Sequence, residues 1–361
     1  MSLYGGAEVV IVRLTNYLQE YGHYVSILTL CVKDRVEYSG LTFILPDKTK
    51  DRIEYRLRGS FDTLAEVYHM YRALQNLCAM HVDVFDVINV HNFPAIWSVP
   101  QDKKVIWMCN EIPDLYHNHH ISKFINPLLN IGRYGDRLIT RTKHAVAVVA
   151  DTRMAKIFEH RYNFKPTIIP YGIDYEFFSA TETHVQTALW KKFIVIHPAI
   201  ISPSKQQLKV LEAINVLRYD IPNIRVIFVG KYEHDDKYMQ VLLKYIEQQG
   251  LEPYVRFTNN VDKAILLKLY SAAHVAIFPG RGQGSWLGPF EALAAGKPII
   301  VSPNLTCSEL IREKNLGIVS DDLVTSIKTL ERNSAQLTEA REFVKNELTW
   351  DKFCDKFTEL L

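Results

Sequence analysis

The chain has 361 residues, 48% hydrophobic and 23% charged, with 42 basic and 40 acidic side chains and a formal net charge of +2. This length and composition support ordinary buried cores and point to two domains, while the balanced charge excludes the broad basic footprint of a nucleic-acid-binding protein. No apolar run approaches the ~18 residues of a membrane-spanning helix.

The N-terminus, MSLYGGAEVV, has neither the basic flank nor the long apolar stretch of a signal peptide. The cysteines at positions 31, 78, 109, 307 and 354 lie far apart with no CxxC pair, so neither disulfides nor a zinc site is expected. A cytoplasmic protein fits these features.

In chain order, short β-branched runs alternate with longer amphipathic stretches, the pattern of parallel sheets covered by helices. The first half opens with a helix over Ala7 to Tyr21. Strands follow at YVSILTL, DVINV, KVIWMC, AVAVVA and PTIIP. The second half presents strands at FIVIHPA, IRVIFVG, VRFTN, VAIFPG, KPIIVS and LGIVS. Helices between them include QLKVLEAINVLRY, YMQVLLKYIEQQ, AILLKLYSA and FEALAAG, and residues 337–361 read as one or two further helices.

The expected fold is therefore α/β, with two Rossmann-like doubly wound parallel sheets facing an interdomain cleft. The N-terminal domain is placed at 1–180 and the C-terminal domain at 181–340. A C-terminal helix at 341–361 is expected to pack back toward the first domain. Ligands in such folds bind outside the carboxyl ends of strands, so the chemistry belongs in the loops that follow them.

The most informative stretch is VAIFPGRGQGSWLGPFEALAAGKPIIVS, residues 275–302. A strand ends at Pro279, glycines follow at 280, 282, 284 and 288, and a helix begins near Pro289. Glycines allow close backbone approach to an anion, and the amides and dipole of a helix start favour phosphate. Glu291 is read in the first turn of that helix. It either caps its own helix or accepts from two ribose hydroxyls. Neither GxGxxG nor GxxxxGK[ST] is present.

This pairing of a glycine-rich loop with FEALAAGKPII resembles the signature of family 4 retaining glycosyltransferases, the glycosyl transferases group 1 with the GT-B fold. Agreement extends over nearly the whole chain: GGAE at Gly5–Glu8, EYGHYVSILTL at 20–30, VHNFP at 90–94, IIPYGIDYEFF at 168–178 and YSAAHVAIFPG at 270–280.

The resemblance implies a UDP- or GDP-linked sugar donor used as substrate, with no cofactor and no metal. The absence of a DxD motif agrees with metal-independent chemistry. It further implies that Gly5 and Gly6 meet the donor phosphates and that Lys205 pairs with the diphosphate. Val261 would contact the base through its backbone. Gly284, Ser285, Trp286, Leu287 and Gly288 would present amides to the phosphates and sugar, and Glu291 would hold the ribose.

The sequence departs from the family pattern at four places. Gln283 stands where the first of two glutamates is usual, and Ala199 and Ile200 occupy the stretch where an arginine usually precedes the lysine. Asn110 and Glu111 follow KVIWMC where a histidine is common, and no strand precedes GGAE, so the first strand of the N-terminal sheet is expected to be missing. Arg281 is a candidate to replace the missing arginine.

His91, at a strand end, is a candidate for contact with donor or acceptor sugar, or a histidine satisfied by its own surroundings. Asn110, Glu111 and Gln283 complete the candidate catalytic set. The His117–His120 run reads as a solvated loop rather than a metal site.

Residues 121–144 alternate apolar side chains with Lys123, Arg133, Arg137, Arg141 and Lys143, opposed only by Asp136. This is either a helix packed on its own domain or a basic face for peripheral contact with an anionic membrane. The expected acceptor is a glycan or lipid-linked group. Two other functions stay open: a nucleotide-sugar-binding or partner subunit without turnover, and a GT-B sugar-nucleotide epimerase.

Overall fold

A computed structural model of the chain describes residues 6–30, 41–44, 60–110, 112, 126–180, 192–233, 236–281, 286–332 and 337–361. The chain divides into two compact units, Met1–Pro170 with Cys354–Leu361, and Tyr171–Phe353.

The first unit begins with helix α1, Gly6–Glu20, which buries Val10, Leu14 and Leu18 at a four-residue spacing along one face. Strands β1 (Ser26–Leu28) and β2 (Thr42–Ile44) pair in parallel. Helix α2 (Ser60–His81), β3 (Val87–His91), the short α3 (Ala95–Ser98), β4 (Lys104–Met108), α4 (Asn126–Arg141), β5 (Val146–Val149), α5 (Thr152–Tyr162) and β6 (Thr167–Ile168) follow. β3-β4-β5-β6 form one parallel sheet in chain order.

The two sheets of this unit lie side by side, since Tyr24 before β1 stacks on Phe85 before β3 with centroids 6.1 Å apart. Among the described residues no strand joins β1 to β3. That position belongs to the first strand of a doubly wound sheet, whose neighbours on either side are its second and fourth strands. β3 is only half-buried over four of its five residues, whereas β4 is buried everywhere except at Lys104. The core of this unit gathers Trp107 on Phe158 and Tyr162, with centroids 5.3 and 5.1 Å away. Residues 354–361 belong to this unit, where Tyr17 bonds Asp355 and Lys104 bonds the carbonyl of Leu361.

The second unit contains α6 (Tyr175–Ser179), β7 (Phe193–Pro198), α7 (Gln207–Leu217), β8 (Ile224–Val229), α8 (Lys237–Gln249), β9 (Val255–Thr258), α9 (Lys263–Ala272) and β10 (Val275–Phe278). It continues with α10 (Leu287–Ala294), β11 (Ile299–Val301), α11 (Ser308–Glu313), β12 (Ile318–Val319), α12 (Leu323–Arg332), α13 (Leu337–Glu347) and α14 (Trp350–Thr358), whose last turns belong to the first unit.

Its six-stranded sheet is parallel throughout, in the order β12-β11-β10-β7-β8-β9. Helices cover both faces, so β7, β8 and β10 are buried almost completely and read in sequence as continuous apolar runs. Aspartates begin three of the covering helices, with Asp322 accepting from the amide of Thr325 before α12. Asp236 accepts from the amides of Tyr238 and Met239 before α8, and Asp262 from that of Ile265 before α9.

Candidate functional site

Chain order reverses at the middle of the second unit's sheet. From β7 the chain runs outward through β8 and β9, then returns to lay β10 on the opposite side of β7. The carboxyl ends of β7 and β10 therefore form the topological switch point, where such sheets bind their ligands.

After β7 the chain forms a loop ending in a 3₁₀ turn, Pro203–Lys205, whose last residue is Lys205. That loop is tied down along its length. The amides of Ala199 and Ile201 donate to the carbonyls of Val229 and Lys231, both at 2.9 Å. The fully buried Gln207 donates to Ile200 O at 2.9 Å and accepts from Ser202 N at 3.3 Å. The amide of Arg281 donates to Ser204 O at 2.8 Å, which attaches the Lys205 turn to the segment leaving β10.

The start of α10 reaches the same place. A Cβ on Gly288 would lie 2.8 Å from the Phe278 ring, so the first turn of this helix rests on the last residue of β10. Trp286 holds the N-cap position without a capping side chain. Its ring is buried against Phe290 at 4.6 Å and Tyr171 at 5.2 Å. The side chain of Trp286 is thus a packing element, and only its backbone faces the helix entrance. The helix starts at Leu287, two residues before Pro289.

Glu291 needs a correction to its expected place. It is the fifth residue of α10, beyond the first turn, and its carbonyl already accepts from the amide of Ala295. Its carboxylate is therefore not a first-turn charge. The half-buried side chain is pushed up to about 7 chiefly by burial, which Lys263 opposes and Asp174 reinforces. Lys263 is itself paired with Asp174 at 2.7 Å. The buried hydroxyl of Tyr270, which Glu291 influences electrostatically, has no hydrogen-bond partner among the described residues. Val261 lies after β9, half-buried, next to the Asp262 cap.

In the first unit, His91 ends β3 and Asn110 follows β4, at the carboxyl ends of adjacent strands. Asn89 donates through Nδ2 to Ile106 O at 3.0 Å, so its Oδ1 accepts from His91 Nε2 at 2.7 Å. His91 Nδ1 is then the acceptor for Asn110 Nδ2 at 3.4 Å. Burial lowers the ring's pKa to about 4, so His91 is neutral and its tautomer is set by this relay.

Gly6 opens α1. Gly5, Glu111, Gln283, Gly284, Ser285 and the His117–His120 run lie outside the described residues. Asp136, which in sequence opposes the arginines around it, is buried away from them. It accepts from Trp97 Nε1 at 3.0 Å, Thr140 Oγ1 at 3.3 Å, Tyr162 OH at 3.2 Å and Arg161 Nη2 at 2.7 Å.

His197 and Tyr270 were not singled out by sequence reasoning. The available signal for His197 was an imidazole at the carboxyl end of the otherwise apolar strand FIVIHP.

Residues 4–177 match the family Glycosyltransferase Family 4, and residues 180–347 match Glycosyl transferases group 1. The chain belongs to the family 4, group 1 glycosyltransferases. EpsD of Bacillus subtilis (strain 168), named as a glycosyltransferase, is 26% identical over 127 residues, which are 35% of this chain and 32% of that protein. The match thus spans about a third of this curated relative's length.

Among solved structures, sucrose-phosphate synthase from Thermosynechococcus elongatus superposes with a TM-score of 0.75 at 16% identity, covering 99% of this chain and 92% of that one. Anabaena Alr3699/HepE in complex with UDP gives 0.71 at 15%, covering 98% and 95%. WaaG, a glycosyltransferase involved in lipopolysaccharide biosynthesis, gives 0.72 at 16%, covering 99% and 97%. The fold is GT-B. No described helix is long and apolar enough to cross a membrane.

Proposed function

We propose that the chain is a retaining hexosyltransferase that moves a sugar from a UDP- or GDP-linked donor to a glycan or lipid-linked acceptor without a metal ion. The observation that carries this reading is the convergence of the Lys205 turn, the end of β10 and the first turn of α10 at the sheet's switch point. A cation and a helix start brought to one spot suit a diphosphate. UDP bound to HepE, a GT-B structure of similar extent, supports a nucleotide diphosphate as the ligand class.

In this reading the diphosphate lies against Lys205 and the α10 amides, and Glu291 accepts from the ribose hydroxyls. Asn110, held by neutral His91, hydrogen-bonds sugar hydroxyls. The bond from the anomeric carbon to the diphosphate oxygen breaks while the acceptor oxygen attaches on the same face. The acceptor's proton passes to the leaving phosphate, as the family resemblance implies.

Titration of the protein with UDP and GDP tests the donor site. Glu291→Ala is expected to weaken the preferred nucleotide by about tenfold or more, and equal affinity in the variant refutes the assignment.

Gln283 favours a second reading, a nucleotide-sugar binder without turnover, because an amide brings no charge to a developing oxocarbenium ion. Product formation by the wild type excludes that reading, whereas nucleotide-sugar binding without product in the wild type supports it.

Peripheral membrane contact is supported by α4, which exposes Tyr134, Leu138 and Ile139 near Arg137 and Arg141. Sedimentation with anionic but not zwitterionic vesicles is the expected result, abolished in Leu138→Glu/Arg141→Glu.

A further inference from the structure

His197 is an imidazole 1% exposed, set in β7 directly after four buried apolar residues, Phe193 to Ile196. Its ring reaches across the switch point. Nδ1 lies 2.8 Å from the carbonyl oxygen of Ile277 in β10, and Nε2 lies 3.1 Å from the carbonyl oxygen of Lys205. The first partner is 80 residues away in sequence and the second only 8. One face of the ring packs edge-on against Phe228, centroids 5.8 Å apart.

The ring is thus a spacer between two elements of the candidate donor site. On one side is the strand that leads to the glycine-rich segment, and on the other the turn that presents Lys205. A second contact runs parallel to it, from the Arg281 amide to Ser204 O. The segment leaving β10 runs close by, since a Cβ on Gly280 would sit 3.3 Å from Ser204 O and 3.7 Å from the Lys205 Cα. Burial pushes the imidazole down to about 4 against the pull of both carbonyls, with Lys205 adding to the downward push. Near neutrality it carries one N–H, which donates to one of the two carbonyls at a time.

We infer that His197 is a positioning residue for donor binding: its ring sets the Lys205 turn against the end of β10 so that the lysine meets the diphosphate. The inference rests on the donor-site reading above. Its chemical consequence is selective. A nucleoside diphosphate should depend on His197, while a nucleoside monophosphate, which lacks the second phosphate that Lys205 pairs with, should depend on it much less.

The test uses the full chain and five variants, His197→Phe, His197→Gln, His197→Asn, Lys205→Ala and the double variant His197→Phe/Lys205→Ala, titrated with UDP, UMP, GDP and GMP. Thermal unfolding reports folding in parallel. The Phe variant retains the packing on Phe228 but has no polar atom. The Gln amide reaches toward the Nε2 position and Lys205 O, and the Asn amide toward the Nδ1 position and Ile277 O.

The expected result is a diphosphate affinity about tenfold weaker in His197→Phe and His197→Asn, near wild type in His197→Gln, and monophosphate affinity little changed in all three. Lys205→Ala added to His197→Phe should cost less than twofold more, because both changes remove the same contact.

Equal loss of mono- and diphosphate affinity would make His197 a merely structural residue and overturn the inference. So would wild-type diphosphate binding by a folded His197→Phe, or rescue by Asn rather than Gln. If His197→Phe does not fold, the Gln and Asn variants decide by the same comparison. Failure of the wild type to bind any of the four nucleotides refutes the donor site itself, a result distinct from wild-type binding that His197 does not influence.

Discussion

Replacing Asp136 by Asn probes how the first unit holds α3, α4 and α5 together. The carboxylate side chain is fully buried, and it accepts four hydrogen bonds from Trp97, Thr140, Arg161 and Tyr162. Its ionic partner Arg161 is only 12% exposed in its side chain. An amide can keep one oxygen for Trp97 and Thr140, but its NH₂ then faces Arg161 Nη2 and Tyr162 OH. The tyrosine hydroxyl can rotate to accept, whereas a guanidinium has no acceptor.

The variant therefore removes the buried carboxylate that Arg161 pairs with at 2.7 Å, a loss of about 3–5 kcal/mol. That is a large share of the ~5–15 kcal/mol that stabilises a typical domain. Urea unfolding followed by tryptophan fluorescence should show an earlier transition for the first unit, reported by Trp97 and Trp107. Arg161→Met in the Asp136→Asn background should recover at least about 1.5 kcal/mol, since the guanidinium facing the new amide is then removed. A loss below about 1 kcal/mol for Asp136→Asn, or no coupling in the double variant, would refute the reasoning.

Three further outcomes are expected. Glu291 has a folded pKa of about 7 against an ordinary value of 4.5, so the native state holds the proton more tightly. Its contribution is fully present below pH about 4.5 and is lost as pH rises through about 7. Glu291→Gln should therefore gain stability relative to wild type between pH 5 and pH 8 in urea titrations, and parallel curves would contradict the burial argument.

Gln206 is left-handed at φ 61°, next to Lys205. Gln206→Gly should raise the unfolding free energy of the second unit by up to about 1 kcal/mol, read by urea titration, because glycine avoids the Cβ penalty there. Gly230 has φ +153°, and a Cβ on it would lie 2.3 Å from Ala199 O. Gly230→Ala should cost at least about 3 kcal/mol, or abolish soluble expression, since the obstacle is backbone.

Periodicity and turn chemistry in the chain alone determined the two α/β units and all of the strands named from sequence, together with the helices that separate them. Apolar runs such as FIVIHP and IRVIFV, short and rich in β-branched residues, read as strands covered on both faces, and each is one. β2, three residues long, carries too few positions to show a period, and it was missed. That a helix follows the glycines was also legible, from their spacing and Pro289, although its first residue, Leu287, was not.

What lies across the sheet was not legible. Which strand stands beside β7 depends on sheet order, so the contact between His197 and Ile277, 80 residues apart, leaves no trace in spacing. The same holds for Asp136, whose neighbours in sequence are basic surface residues while its actual partners come from α3, α4 and α5. The position of Glu291 in its helix shifted because the helix boundary depends on packing against Phe278, which no local pattern encodes. Local patterns report which face of an element is buried. Only the tertiary structure decides what that face meets.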